Sequence, residues 1–294
     1  MLYLEQESFV TSEQWTTGRR NAHLTQVAAA RFLGVSQPYL SPDGRRVMYI
    51  RWLDPGHTEL WASDLDGANK LKLASGSSGL STIDWSANSR QLSFVNVDGK
   101  QNHTYVVGAD GRDLHEIKGL EDTIVWGAWS ADGQQLFFTS TKDFANWSIW
   151  TAAADGSRAD KLSDRGFLVT SASPDKGYLF GFISHGGDLG IYQMSLADGR
   201  RVPLLPGVDT FLLRFAPDFK SFVYAVAGRG EVTFYRQGWR GGALVGTPQV
   251  ALKVPFAFPL VYKGNALDIS RDLSTIVYVR PSGQHDLYFL SQTH

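Results

Sequence analysis

Apolar and polar positions alternate along this chain in short runs, and the runs recur in one order. A brief apolar or aromatic strand meets a Ser-Pro-Asp-Gly-like turn, and a second apolar strand runs back from it. The third copy is the fullest. Ile124–Trp129 reads as an inner strand, Ser130-Ala131-Asp132-Gly133 as its turn, and Gln135–Ser140 as the returning strand. Trp147–Trp150 then makes a third strand, Ala154-Asp155-Gly156 a tight hairpin, and Ala159–Ser163 an outer strand. Alternation with a period of two, bounded by Asp, Asn and Gly, is the pattern of half-buried strands. Asp-Gly at a two-residue turn supplies the positive φ that a type I′ hairpin needs at both central positions. The same dipeptide closes the third-to-fourth strand hairpin at Asp66-Gly67, Asp110-Gly111 and Asp198-Gly199.

The first residue of the turn falls at 41, 86, 130, 173, 216 and 270, so the steps are 45, 44, 43, 43 and 54. A period in the forties carried by strand-turn-strand units is that of propeller blades. The expected fold is therefore all-β: a six-bladed β-propeller of four-stranded antiparallel blades. Third strands align as Glu59–Ser63, Thr104–Val107, Gly190–Met194, Glu231–Tyr235 and Asp286–Leu290. In the fifth repeat the third hairpin is expected to be replaced by Gln237–Gly242 and a longer path through Pro248, Pro255 and Pro259, which accounts for the widest step. The sixth repeat lacks a fourth strand after its third, and Arg20–Thr25 near the start reads as one. That N-terminal strand is expected to complete the last blade and close the ring, leaving no open edge between first and last repeats. Residues 1–18 stay unassigned, and 19–294 form one propeller domain.

Trp129-Ser130-Ala131-Asp132-Gly133, Ser41-Pro42-Asp43-Gly44 and His23-Leu24-Thr25 resemble the TolB-like (WD-like) propeller repeat of bacteria, over roughly residues 19–291. The fifth repeat and Arg271 in the sixth depart from its pattern. Ala266–Leu290 is similar to the final blade of propellers attached to winged-helix regulators or receptor-type kinases. The resemblance implies a sensor or interaction module in bacterial signalling or transcriptional regulation.

Composition narrows the chemistry. Net charge is −1, so nothing global draws the chain to nucleic acid or an anionic membrane. With no cysteine there is no disulfide, no thiolate nucleophile and no Cys-type zinc site. No apolar run reaches the roughly 18 residues that span a bilayer. Glu5, Glu7 and Glu13 sit where a secretory signal would need a basic start and an apolar stretch, so work outside the cytoplasm would require an upstream segment. The compartment is left open, and the chain reads as a monomer.

The turn acids Asp43, Asn88, Asp132, Asp175, Asp218 and Asp272 are read as turn formers that bond their own backbone rather than as a ring of metal ligands. Trp85, Trp129 and Phe215 are read as wedges between blades. Two positions before each turn stand Tyr39, Asp84, Ala128, Ser171, Arg214 and Asp268, which alternation points away from the wedges and toward the channel. Tyr39, Asp84, Arg214 and Asp268 would make a mixed-charge pocket there, or pair with one another and trapped water. Asp122, Trp126, Arg165, Asp209 and Lys263 fall in the loops entering the inner strands and offer a binding rim.

The function expected is non-catalytic, a protein or peptide interaction or ligand-sensing module with no cofactor. The alternative is a lactonase-like hydrolase with a metal at the channel mouth, for which Asp84, Asp268 and Asn265 form a thin ligand set. A calcium titration followed by thermal melting separates the two. A third reading is DNA binding, because Leu24–Ser41 resembles a helix-turn-helix with Gln37 facing a base and Arg31 a phosphate. Pro38 and Pro42 cut its second helix short.

Overall fold

The computed structural model describes residues 2–16, 19–30, 34–54, 56–77, 79–98, 101–120, 123–141, 146–183, 187–216, 218–255 and 267–289. Among them every regular element is a strand. β1 (Leu2–Thr16) and β2 (Arg19–Ala30) open the chain. β3 (Gly34–Leu40), β4 (Arg46–Asp54), β5 (His57–Asp64) and β6 (Leu71–Gly76) form an antiparallel meander. The same order repeats in β7 (Gly79–Trp85), β8 (Gln91–Asp98), β9 (Gln101–Gly108) and β10 (His115–Ile117). β11 (Thr123–Trp129), β12 (Gln135–Thr141), β13 (Trp147–Ala153) and β14 (Ala159–Ser163) follow. Then come β15 (Leu168–Ala172), β16 (Tyr178–Ile183), β17 (Gly190–Ser195) and β18 (Arg201–Pro206). β19 (Leu212–Phe215), β20 (Ser221–Ala227), β21 (Glu231–Arg240) and β22 (Ala243–Pro255) make the next sheet. β23 (Leu267–Ile269) and β24 (Thr275–Phe289) join the first two strands in the order β2-β1-β24-β23.

The turns explain themselves chemically. Ser41 Oγ donates to Asp43 Oδ1 at 2.6 Å and accepts from the Arg46 N–H at 2.9 Å. Ser86 with Asn88, Ser130 with Asp132, Ser173 with Asp175 and Ser270 with Asp272 repeat the same closure. These acids are occupied by their own turns, as their sequence position implied. The fourth turn position takes positive φ throughout: Gly44, Ser89, Gly133, Lys176, Phe219 and Leu273.

The apolar faces pack sheet against sheet. Trp85 is buried, and its Nε1 donates to Tyr39 O of the preceding sheet at 3.0 Å. Trp129 Nε1 likewise reaches back to Ser93 Oγ at 3.0 Å. Each core joins neighbouring sheets. Met48, Leu60, Trp85 and Phe94 share one, Phe180, Phe215 and Trp239 another, and Tyr49 meets Val277 in a third. First strands lie beside first strands: β3 by β7, β7 by β11, β11 by β15, β15 by β19, and β23 by β3.

Four expectations change. The sheet that joins the chain ends takes two N-terminal strands rather than one. Tyr3 of β1 lies opposite Tyr288, while Leu24 of β2 lies opposite Glu13. Asp286–Phe289 is not a separate third strand but continues β24 past a register shift facing Pro281–His285. Pro-Ser-Gly reads as a turn in sequence, yet an interrupted ladder also absorbs a residue without an N–H. The helix-turn-helix reading fails: Leu24–Ala30 lies in β2 and Gly34–Leu40 in β3, sheet pairing having overridden the Ala-rich local preference. The fifth hairpin is lengthened rather than replaced. β21 runs to Arg240, Gly241 (φ 55°) and Gly242 (φ 88°) turn it, and β22 returns. Its tip docks on the fourth sheet, where Trp239 Nε1 donates to Gln193 Oε1 at 3.1 Å and Gln193 Nε2 to Gly242 O at 2.7 Å. Pro259 lies outside the described residues.

Candidate functional site

The first strands run side by side, so equivalent positions on them meet around one axis. Bulges at Ser36/Tyr39, Thr82/Asp84, Ile124/Trp126 and Val169/Ser171 bend four of these strands short of their turns. A bulge re-aims the side chains that follow it. Asp84, Ala128, Ser171, Arg214 and Asp268, each two residues before a turn, line one cavity of about 40 Å³ at the turn end of the strands. At ~10–15 Å³ per water centre it has room for about three waters. A second cavity of about 10 Å³ lies toward the other end, walled by Pro38, Tyr39, Trp126, Phe211 and Leu267. Arg214 lines both and separates them.

The floor is a bound charge pair. Arg214 Nε stands 3.2 Å from Asp268 Oδ1, with side-chain exposures of 17% and 3%. Asp268 also accepts from the Ile269 N–H at 2.9 Å through Oδ1 and from the Leu40 N–H at 3.0 Å through Oδ2. The Arg214 guanidinium lies 5.6 Å from the centre of the Tyr39 ring and donates to Leu213 O at 3.2 Å. Burial works against its charge, but Asp268, Asp84 and Tyr39 outweigh this and hold it above its ordinary value. Arg214 is thus fixed as a cation.

Above that floor two groups are less committed. Among the described residues Asp84 Oδ1 accepts only its neighbour's Trp85 N–H, at 2.8 Å. Burial pushes its carboxyl up to about 6, against the pull of Arg214 and the Trp85 N–H. Arg271 lies across Phe219, its guanidinium carbon 5.5 Å from the ring centre. Burial lowers its pKa, with Asp84 opposing. Phe219 itself stacks on Phe215 at 5.8 Å and sits at φ 53°, a conformation unfavourable for a bulky side chain.

Of the residues singled out in sequence, Asp84, Arg214 and Asp268 converge on the larger cavity, and Tyr39 touches the group through Arg214. Trp126 is half-buried, edge-on to Phe182 at 5.9 Å. Arg165 is exposed, with its N–H on Ser163 Oγ at 3.0 Å, and Asp209 is half-buried. Trp126 lies within β11 and shares the second cavity with Tyr39 and Arg214, whereas Arg165 and Asp209 line neither cavity. Asp122, Lys263 and Asn265 lie outside the described residues. Among the described residues no three His, Asp or Glu side chains come together as a metal site, and Asp268 already has its oxygens engaged. Arg271 and Phe219 were missed as site residues, although each breaks the repeat at its own turn position.

No family model and no curated protein matches the sequence. Solved structures do match in shape. A protein of Agrobacterium tumefaciens assigned as TolB superposes with a TM-score of 0.64 at 15% identity, over 97% of this chain and all of that one. The nidogen/laminin complex gives 0.51 at 14% identity, over 77% of this chain and 88% of that one. An oligogalacturonate lyase in complex with manganese gives 0.51 at 13% identity, over 69% of this chain and 64% of that one. The class is a β-propeller. More narrowly, the fold is TolB-like.

Proposed function

We propose that the chain is a six-bladed propeller, sealed by its N-terminal strands, that works as a non-catalytic binding module. Its ligand, a peptide or other small polar molecule, enters at the turn end of the channel. The observation that carries this reading is the division of labour in the charged group. Arg214 and Asp268 neutralise each other in the floor, while Arg271 and Asp84 face a water-sized space with bonding capacity to spare. A buried ion pair is a poor source of stability in itself, so leaving two further charges beside it is accounted for best by recognition. The sheet order, with β1 between β2 and β24, supports closure of the ring.

Two solved relatives in shape take the reading in different directions. The nidogen/laminin complex is a propeller engaged with a protein partner, whereas the manganese-bound lyase is an enzyme. The guanidinium pairing of Asp268 favours the first class for this chain. The test is binding of a short-peptide library, compared between wild type, Arg271→Gln at the turn end and Arg165→Gln at the entry rim. Loss in Arg271→Gln alone supports the reading, loss in Arg165→Gln alone moves the working face to the other rim, and turnover of any bound probe refutes a non-catalytic role.

A further inference from the structure

The turn-end cavity has a chemistry narrower than a general binding surface. Arg271 makes no hydrogen bond or ion pair with any described residue and is held in place by the Phe219 ring beneath it. Phe219 occupies a turn position that is Gly in two of the other repeats, and it adopts positive φ there at a cost. A planar guanidinium with free N–H groups matches a carboxylate in bidentate fashion. Facing it, the second oxygen of Asp84 has no hydrogen bond from a described residue, while Pro42, Ala87 and Ala131 add apolar edges beside Ser41 and Ser270. Space for about three waters suits a carboxylate head and one or two carbons, and nothing larger.

We propose that this cavity is a carboxylate site, in which Arg271 grips the two carboxylate oxygens of a ligand and the protonated Asp84 donates a hydrogen bond to one of them. The inference rests on the turn-end binding role above and adds the class of group recognised. A free carboxylic acid and the C-terminus of a peptide present the same group, and both would seat it with the remainder projecting through the mouth.

Proton linkage follows from the neighbours. Asp84 is faced by Arg214 from β19, Asp268 from β23 and Arg271 from the turn after β23. The two arginines stay charged and Asp268 is bound to Arg214, so Asp84 is the group whose proton changes near neutrality. A second carboxylate at this distance raises its affinity for the proton, and the pair shares one proton as close carboxyls do. Ligand binding therefore takes up a proton, and affinity falls about tenfold per pH unit well above pH 6.

The probes are propionate, inorganic phosphate, and one short peptide with a free or an amidated C-terminus, followed by tryptophan fluorescence and heteronuclear NMR between pH 5 and 8. Saturable propionate binding that weakens with pH, drops at least tenfold in Arg271→Gln and loses its pH dependence in Asp84→Asn supports the proposal. The free-terminus peptide binding while propionate does not assigns the site to chain ends and also supports it. Equal binding of the free and amidated peptides overturns the carboxylate inference while leaving the binding module intact. Phosphate binding more tightly than propionate overturns it as well. Absence of binding by every probe to a protein with native chemical-shift dispersion overturns it, and the peptide library above then decides the broader role separately.

Discussion

Replacing Asp84 by Asn isolates one charge in the channel and reports directly on whether burial or pairing governs it. The carboxyl titrates at about 6 in the folded chain against an ordinary 3.8. Between those values the folded protein holds a proton that the unfolded chain has released. Its stability contribution is therefore complete below pH 4 and is lost as the pH rises to about 6, after which it stays level. At 1.36 kcal/mol per pH unit, the gap amounts to about 3 kcal/mol. Asn keeps the acceptor for the Trp85 N–H and has no proton to lose, and its amide faces water in the cavity. Urea unfolding at pH 4, 5, 6, 7 and 8 measures the difference, with other titrating groups cancelling between the two proteins. The variant should match wild type within ~1 kcal/mol at pH 4 and exceed it by up to about 3 kcal/mol at pH 7. A variant that is weaker than wild type at pH 7, or a difference that does not move with pH, would show that attraction to Arg214 and Arg271 outweighs desolvation and would refute the reasoning.

Arg214→Met leaves Asp268 buried without its cation, and denaturant unfolding at pH 7 should show a loss of about 3–5 kcal/mol, partly recovered by adding Asp268→Asn. In the fifth repeat Ala216 stands where the other turns carry Ser; Ala216→Ser should gain about 0.5–1.5 kcal/mol in the same assay and Ser130→Ala should lose a comparable amount. The neighbouring turns are joined by Lys176 and Asp132, whose carboxyl is held at about 2 by Lys176 and Ser130. The benefit of that pair is present above pH 4 and lost as the pH falls through 2; because the pair is largely exposed, Lys176→Met should cost under about 1 kcal/mol at pH 7 and nothing in strong acid. At the hairpin tip Gly242 has φ 88°, and a Cβ there would lie 2.7 Å from Tyr178 Oη. Gly242→Ala should therefore cost more than about 1 kcal/mol and speed amide exchange across Trp239–Leu244, whereas Gly246→Ala, with open space around it, should do so less.

Much of the fold was legible because five of the six turns solve one local problem in the same way. A serine hydroxyl, an acid two residues on and a fourth position at positive φ form a unit that needs nothing from the rest of the chain, so its spacing survives in the sequence. The blade ends were less legible for the opposite reason. Leu2–Thr16 carries no turn, and what makes it a strand is the β24 ladder some 270 residues away. Leu24–Leu40 misled because its alanine-rich start favours helix locally and Gly34 reads as the turn between two helices, and only pairing with β1 and β4 decides against it. In the site, alternation located Asp84, Arg214 and Asp268 because they lie on strands. Arg271 and Phe219 lie in turns, where period-two reasoning has no hold. A comparison of the six turns position by position would have exposed both, since the other second positions are Pro or Ala and no other fourth position is aromatic.

The charged group also bears on how the two ends of the chain are held. Asp268 joins the last sheet to the first through the Leu40 N–H and to the fifth through Arg214. These links cross sequence separations that backbone ladders inside a single sheet never span, apart from the β1–β24 seam itself. The seam and the floor of the cavity are thus consecutive parts of one connection: strand pairing outside, a shared carboxylate inside. A ligand carboxylate seated on Arg271 would occupy the next position outward from Asp268 on the same turn, so its binding energy falls on the sheet that contains both chain ends.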